Sequence, residues 1–150
     1  MFKKIAAAAV ITGLLSAGAY AAKPADVIKA RQDNFKVMGK AMKAIGDEFK
    51  KPTQDVALLQ ANAKAIADAS KKVGGYFPKG SGPESGVKTD ALADIWAKPA
   101  DFKAALAKLA DGNAKFSAAA KTGDANAIRA AIPAIGSSCK GCHDQFKAKR

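Results

Sequence analysis

The stretch from Ile128 to His143, IRAAIPAIGSSCKGCH, decides the fold of this chain. Its apolar residues recur every three or four positions, which is typical of a helix buried along one stripe. The stripe starts at Ile128 and includes both cysteines, 139 and 142. The helix therefore carries a reactive motif on the same face that it buries.

The motif Cys139-Lys140-Gly141-Cys142-His143 holds both cysteines and the only histidine of the sequence. A C-x-x-C-H run is the attachment signature of c-type haem: two thiols add across the porphyrin vinyl groups, and the imidazole reaches the iron from one face. On a helix, residues three and four apart return to nearly the same side. The sequence therefore predicts one covalent haem c bound through Cys139 and Cys142, with His143 as the iron ligand.

Three other kinds of site fit the motif less well. A redox dithiol is expected in a βαβ setting, and no strand-like segment precedes Cys139. A tetrahedral zinc site needs one ligand more than the motif supplies. A disulfide between the two cysteines is compatible with their spacing, but it gives His143 no role.

Residues 1–21 have the layout of a secretory signal peptide. Lys3 and Lys4 precede an apolar run at 5–15, and small residues lead to Ala21. The apolar run is too short to span a bilayer, and no second long run follows it. We expect cleavage after Ala21, which leaves residues 22–150 as one domain in the bacterial periplasm, without a membrane span.

The chain is strongly basic, with a formal net charge of +12 that falls by two when Lys3 and Lys4 are removed. The charges are spread along every predicted helix rather than gathered in one run. This distribution indicates a solvated surface and, together with export, argues against nucleic acid as a partner. Long-range attraction leaves an acidic redox protein or an anionic membrane surface as candidate partners.

Four segments have the periodicity of amphipathic helices, with starts expected near residues 24, 54, 99 and 124. A loop rich in Gly and Pro at 76–90 and a short helical turn at 91–96 separate the second from the third. Four such helices predict an all-α fold, an antiparallel up-down four-helix bundle with covalent haem c in its core. The stripe of the first helix runs through Ile28, Arg31, Phe35, Met38, Met42, Ile45 and Phe49.

Arg31 is the charged residue on that first stripe. A buried guanidinium needs an anion, and a haem propionate would serve through charge-assisted hydrogen bonds. The side chain is equally able to reach solvent, since long basic side chains bury their stems and keep the charge in water. Spacing alone leaves both alternatives open.

The sequence resembles the cytochromes c′ and their low-spin c-556 relatives over essentially all of residues 22–150. The motif near the carboxyl end is fairly specific, because many other c-type cytochromes attach haem near the amino end. The likeness rests on Arg31-Gln32, Met38-Gly39, Thr89-Asp90-Ala91-Leu92, Ile95-Trp96, Ile135-Gly136 and Cys139-Lys140-Gly141-Cys142-His143-Asp144.

The resemblance implies haem contacts beyond the motif. Arg31 and Gln32 on the first helix, like Thr89 and Asp90 before the short helical turn, would contact the haem, which strengthens the case for Arg31 as a propionate partner. Phe35 would lie on the distal face, where low-spin relatives place a methionine as the sixth ligand. The family also implies a homodimer.

A phenylalanine has no lone pair to donate to iron. The sequence therefore predicts a five-coordinate, high-spin haem protein that binds small neutral gases such as NO and CO, takes part in electron transfer, or does both. It is not expected to be an enzyme, because no His and no acid–base pair accompanies Phe35 on the distal helix. The alternative is a low-spin, c-556-like electron carrier with Met38 or Met42 as the sixth ligand, although flexible core filling also accounts for both residues.

Overall fold

The computed structural model describes residues 22–149, so the expected signal peptide at 1–21 lies outside the described part of the chain. The fold is all-α, as predicted. Four long helices and one short helix follow in the order α1 (Pro24–Glu48), α2 (Val56–Ser70), α3 (Asp94–Ala97), α4 (Pro99–Lys121) and α5 (Ala125–Phe146).

The long helices begin within two residues of the predicted positions, and the sequence explains why. Pro24 and Pro99 occupy the first turns of α1 and α4, where a missing N–H costs no helical hydrogen bond. The carboxylates of Asp55 and Asp124 cap α2 and α5 by accepting hydrogen bonds from backbone N–H groups that the first turn leaves unpaired.

The four long helices form the predicted antiparallel bundle. α1 packs against α2, α2 against α4, and α4 against α5. At one end of the bundle the Gln60 side chain of α2 donates a hydrogen bond to the Ala120 carbonyl of α4 at 2.8 Å. At the same end the Arg129 guanidinium of α5 covers the Phe49 ring beyond α1 at 4.4 Å. The starts of α2 and α5 thus lie beside the ends of α4 and α1, so neighbouring helices run in opposite directions.

The core runs along the bundle axis and follows the predicted stripes. Its fully buried members include Ile45 of α1, Leu59 of α2, Phe116 of α4, and Ile128 and Ile135 of α5. Removing side chains of this size from water supplies most of the stabilisation, at about 1.5–3 kcal/mol each.

Two polar residues on α1 are buried as well, which the predicted stripe did not include. The Asn34 side chain donates a hydrogen bond to the Ala69 carbonyl of α2 at 3.0 Å. The Glu48 carboxylate accepts the Asp55 N–H at 2.8 Å and the Lys51 ammonium at 2.6 Å. Asn34 therefore joins α1 to α2, and Glu48 joins the end of α1 to the segment that leads into α2. Neither side chain leaves its buried polar atoms unpaired.

The segment between α2 and α3 is the long loop that the sequence predicts, and it contains two short 3₁₀ turns at Val73–Tyr76 and Pro83–Ser85. Gly82 allows this loop to pack closely, because a Cβ at this position would lie 2.7 Å from the Trp96 ring. None of the helices in the described part of the chain combines the length and apolar character needed to cross a membrane.

Candidate functional site

A cavity of about 550 Å³ opens between α1, α5 and the long loop. The surface of its walls is largely apolar, and polar and charged side chains from α1, the long loop and α5 stand among the apolar ones, as in many cofactor sites. The residues that the sequence predicted for the site all line this one cavity: Arg31, Gln32, Phe35, Thr89, Asp90, Cys139, Cys142 and His143. Residues separated by more than 100 positions are thereby brought together, although the roles of these side chains toward a cofactor stay predictions.

The motif forms the α5 wall of the cavity. Both cysteines lie half-buried at the cavity surface, and they form no disulfide with each other. Desolvation by burial raises the pKa of the Cys139 and Cys142 thiols, so both are protonated at neutral pH. Thiols in this form carry the hydrogen that addition across a vinyl group requires.

His143 projects from the same wall. Desolvation by the surrounding protein lowers the pKa of its imidazole, and the nearby positive charge of Lys147 lowers it further. Asp144 acts in the opposite direction with a smaller effect. The imidazole is therefore neutral at pH 7, which is the form that binds a metal.

Phe35 lies on the opposite wall, which α1 provides. Its ring centroid is 6.1 Å from that of His143, and the two ring planes are inclined at 62°. The expected distal residue and the expected iron ligand therefore face each other from different helices. Phe35 precedes Met38 by one helical turn, but the Met38 sulfur accepts a hydrogen bond from the Ser70 hydroxyl of α2 at 3.5 Å.

Arg31 is buried, with 3 % of its surface exposed, and it clamps the long loop to α1. One Nη atom donates to the Tyr76 carbonyl at 3.2 Å and to the Ser81 hydroxyl at 3.1 Å. The other donates to the Ser81 carbonyl and to the Thr89 hydroxyl, both at 2.9 Å. The four Nη hydrogens are thus engaged by the protein, and Nε–H is the donor left for an anion. The alternative in which the Arg31 side chain reaches solvent is therefore wrong, because the side chain is buried.

The segment around Thr89 and Asp90 lines the cavity as well. The Gln32 side chain donates to the Lys88 carbonyl at 3.2 Å, which holds this segment beside α1. The Asp90 carboxylate pairs with the Lys147 ammonium at 3.6 Å, and the Asp90 carbonyl accepts the Ala148 N–H at 2.8 Å. The loop is therefore fastened to both walls of the cavity.

A group of aromatic side chains also lines the cavity, and the sequence reasoning did not assign it to the site. Phe77 of the long loop packs edge-on against Phe35 at 6.5 Å and against Phe102 of α4 at 5.0 Å. Phe102 in turn packs against Phe146 of α5 at 5.3 Å. The sequence signal that could have identified this group is Phe77, an aromatic residue within a loop rich in Gly and Pro. A large aromatic side chain in such a loop is expected to pack against the rest of the protein.

The donor set fits haem and does not fit a bare metal ion. Within residues 22–149, no three His, Cys, Asp or Glu side chains are grouped so that they could hold an ion by themselves. The iron of a haem is already bound by four ring nitrogens. A c-type haem therefore needs from the protein a further iron ligand, two cysteines for its vinyl groups and apolar walls. His143, the two thiols and the aromatic group are the residues that would provide these.

A family model described as cytochrome C′ matches residues 26–147, which is nearly the whole of the described chain. Cytochrome c′ from Rhodospirillum rubrum is 37 % identical over 131 residues, and the alignment covers 87 % of this chain and 87 % of the relative. The similarity includes the motif, the loop and the first helix, so it spans every wall of the cavity.

Two solved structures share the fold. The crystal structure of cytochrome c′ from Rubrivivax gelatinosus has a TM-score of 0.77 and 35 % identity, and the match covers 84 % of this chain and 98 % of that one. Cytochrome c′ from Alcaligenes xylosoxidans, solved as a ferrous variant with bound NO, has a TM-score of 0.75 and 32 % identity. That match covers 87 % of this chain and 99 % of the other.

Proposed function

Because the chain belongs to the cytochrome c′ family and carries one covalent haem c, we propose that it binds small neutral gases such as NO and CO at a five-coordinate, high-spin iron. Cys139 and Cys142 hold the haem in this proposal, and His143 is the protein's single ligand to the iron. NO bound to the relative from Alcaligenes xylosoxidans supports this class of ligand.

The observation that carries the proposal is the position of Phe35 opposite His143. A phenyl ring has no lone pair, so it excludes solvent from the distal side without binding the iron. It also offers no hydrogen-bond donor, which disfavours ligands that need polar stabilisation, such as O₂. Phe35 therefore selects for small neutral molecules that are able to share its space.

The low-spin alternative needs a methionine sulfur at the distal side. Met38 lines the cavity, but its sulfur accepts a hydrogen bond from the Ser70 hydroxyl of α2. Met42 lies one turn further along α1 and packs against the core rather than lining the cavity. The engaged sulfur of Met38 and the core position of Met42 both support the five-coordinate assignment.

We also propose that the protein works in the periplasm after cleavage behind Ala21, that it is a binding or carrier protein rather than an enzyme, and that it forms a homodimer. An acidic redox protein stays the expected partner for electron transfer. The mass of the protein purified from a periplasmic extract tests the cleavage site, and sedimentation of the same sample tests the dimer.

Resonance Raman and absorption spectra of the ferric and ferrous protein test the coordination. We expect high-spin spectra from the wild type. Phe35→Met is expected to give a low-spin iron with a methionine-to-iron band, because a thioether then faces the distal side. Phe35→Leu, which introduces no donor atom, is the matched control and is expected to stay high-spin.

A low-spin wild type with a methionine band would contradict the proposal. An unchanged spin state in Phe35→Met would show that residue 35 does not face the iron.

A further inference from the structure

Phe77 touches the distal side of the cavity without belonging to either helix that forms it. Its ring lies edge-on to the Phe35 ring, with centroids 6.5 Å apart and planes inclined at 66°. Phe35 thus has an aromatic neighbour on the loop side as well as His143 across the cavity. Any movement of the Phe35 ring that opens the distal side must change its contact with Phe77.

The ring of Phe77 is itself held on several sides. The Arg31 guanidinium lies over it at 4.7 Å from the centroid, and the Phe102 ring packs edge-on at 5.0 Å. Trp96 adds a ring contact at 6.2 Å. Cation–π and edge-to-face contacts of this kind restrict a ring to one orientation as well as stabilising it.

The backbone of Phe77 is fixed too. The Trp96 indole N–H donates to the carbonyls of Phe77 and Pro78, each at 3.1 Å. Arg31 joins the same loop to α1 through Tyr76 and Ser81. Phe77 is therefore a fixed wall, whereas Phe35 is the ring that has to yield to an incoming ligand.

We propose that Phe77 is a positioning residue that restrains Phe35 and thereby sets the rate at which small gases reach the distal side. The inference rests on the proposed function, because it takes Phe35 as the distal screen. A smaller side chain at 77 removes an attractive contact with Phe35 and leaves room beside it. Both changes make displacement of the Phe35 ring easier, so they act in the same direction.

The test is the association of CO with the ferrous holoprotein, measured by flash photolysis. We expect Phe77→Leu to raise the association rate constant roughly threefold to tenfold, the range that corresponds to the loss of one aromatic edge-to-face contact. Dissociation is expected to change less, because Phe35 is already displaced when the ligand is bound. Ferric and ferrous spectra of the unliganded variant are expected to stay high-spin.

A second measurement does not depend on gas binding. In a crystal structure of the holoprotein with Phe77→Leu, we expect the Phe35 side chain to occupy more than one rotamer. Phe116→Leu is the matched control, because Phe116 is fully buried in the core and does not line the cavity. It removes the same atoms and is expected to lower stability without changing the CO association rate.

The double variant Phe35→Ala, Phe77→Leu separates the two proposals. Once Phe35 is truncated, Phe77→Leu is expected to add nothing to the rate. An equal acceleration by Phe77→Leu in both backgrounds, or no acceleration in the wild-type background, would overturn the role of Phe77 and leave the proposed function standing. If Phe35→Ala alone failed to accelerate association, the distal screen itself would be wrong.

Discussion

At the scale of single residues, Arg31 illustrates how a buried charge is used in this protein. A guanidinium presents its N–H groups in a rigid plane, and the long loop supplies carbonyl and hydroxyl oxygens that match this geometry. Desolvation lowers the pKa of Arg31, with an opposing effect from Glu84, yet an arginine stays charged under all ordinary conditions. The side chain thus fixes the loop that carries Phe77 and Thr89.

Arg31→Lys is expected to destabilise the holoprotein by about 2–4 kcal/mol, because an ammonium group cannot reach the same set of acceptors and leaves some of them unpaired. Denaturant unfolding followed by circular dichroism measures the change. Arg129→Lys is the control: Arg129 is exposed above the Phe49 ring, and the substitution is expected to cost less than about 1 kcal/mol. Equal costs for the two variants would show that the clamp contributes nothing.

At the scale of the elements, the packing of α4 on α5 determines where the haem motif lies. Gly112 of α4 faces the part of α5 that directly precedes the haem motif. A Cβ on Gly112 would lie 2.8 Å from the Ala134 carbonyl oxygen and 2.9 Å from the Ser138 hydroxyl. The absence of a side chain therefore allows the two helices to approach closely beside Cys139.

Gly112→Ala is expected to destabilise the protein by about 1–3 kcal/mol, because the added methyl group forces α4 away from α5. Gly46→Ala provides the comparison within the same fold, since a Cβ at Gly46 of α1 meets nothing within 4 Å. It is expected to stabilise the protein by about 0.5–1 kcal/mol through higher helix propensity. Thermal unfolding of the two variants gives the sign of each change, and stabilisation by both would show that α4 and α5 are not in close contact at Gly112.

At the scale of the whole molecule, the charges are distributed along the outside of the bundle. The sequence carries a net charge of +12, and many lysines pair with an acidic residue one turn away, such as Lys64 with Asp68. Exposed pairs of this kind contribute little and are screened by salt. Glu48 differs because 2 % of its surface is exposed and because it joins the end of α1 to the start of α2.

The pKa of the Glu48 carboxyl is lowered from its ordinary value of 4.5, chiefly by the hydrogen bond from the Asp55 N–H and then by that from Lys51. A lowered folded-state pKa means that the carboxylate stabilises the fold at and above pH 4.5 and loses this effect as the pH falls further. We expect Glu48→Gln to be less stable than the wild type at pH 7, with the difference shrinking below pH 4.5.

Denaturant unfolding at a series of pH values measures this difference. Asp68→Asn is the control, since Asp68 forms exposed pairs only. A constant difference between wild type and Glu48→Gln at all pH values would rule out the role of ionisation.

Much of the fold followed from local patterns. The spacing of Ile128, Ile135 and the two cysteines predicts one helix and one face, because the helical period is a property of consecutive residues. Asp55, Pro99 and Asp124 mark helix starts for the same local reason. The bundle then follows from four apolar stripes that have to be covered.

By itself, the sequence determined the four amphipathic helices and predicted that the haem is attached near the carboxyl end, since both depend on neighbours along the chain. Only the tertiary structure decided what Arg31 binds, that the Met38 sulfur faces Ser70, and that Phe77 packs against Phe35. These pairs lie more than 30 positions apart. Their distances depend on how the helices and the long loop pack together, and no local spacing records that packing.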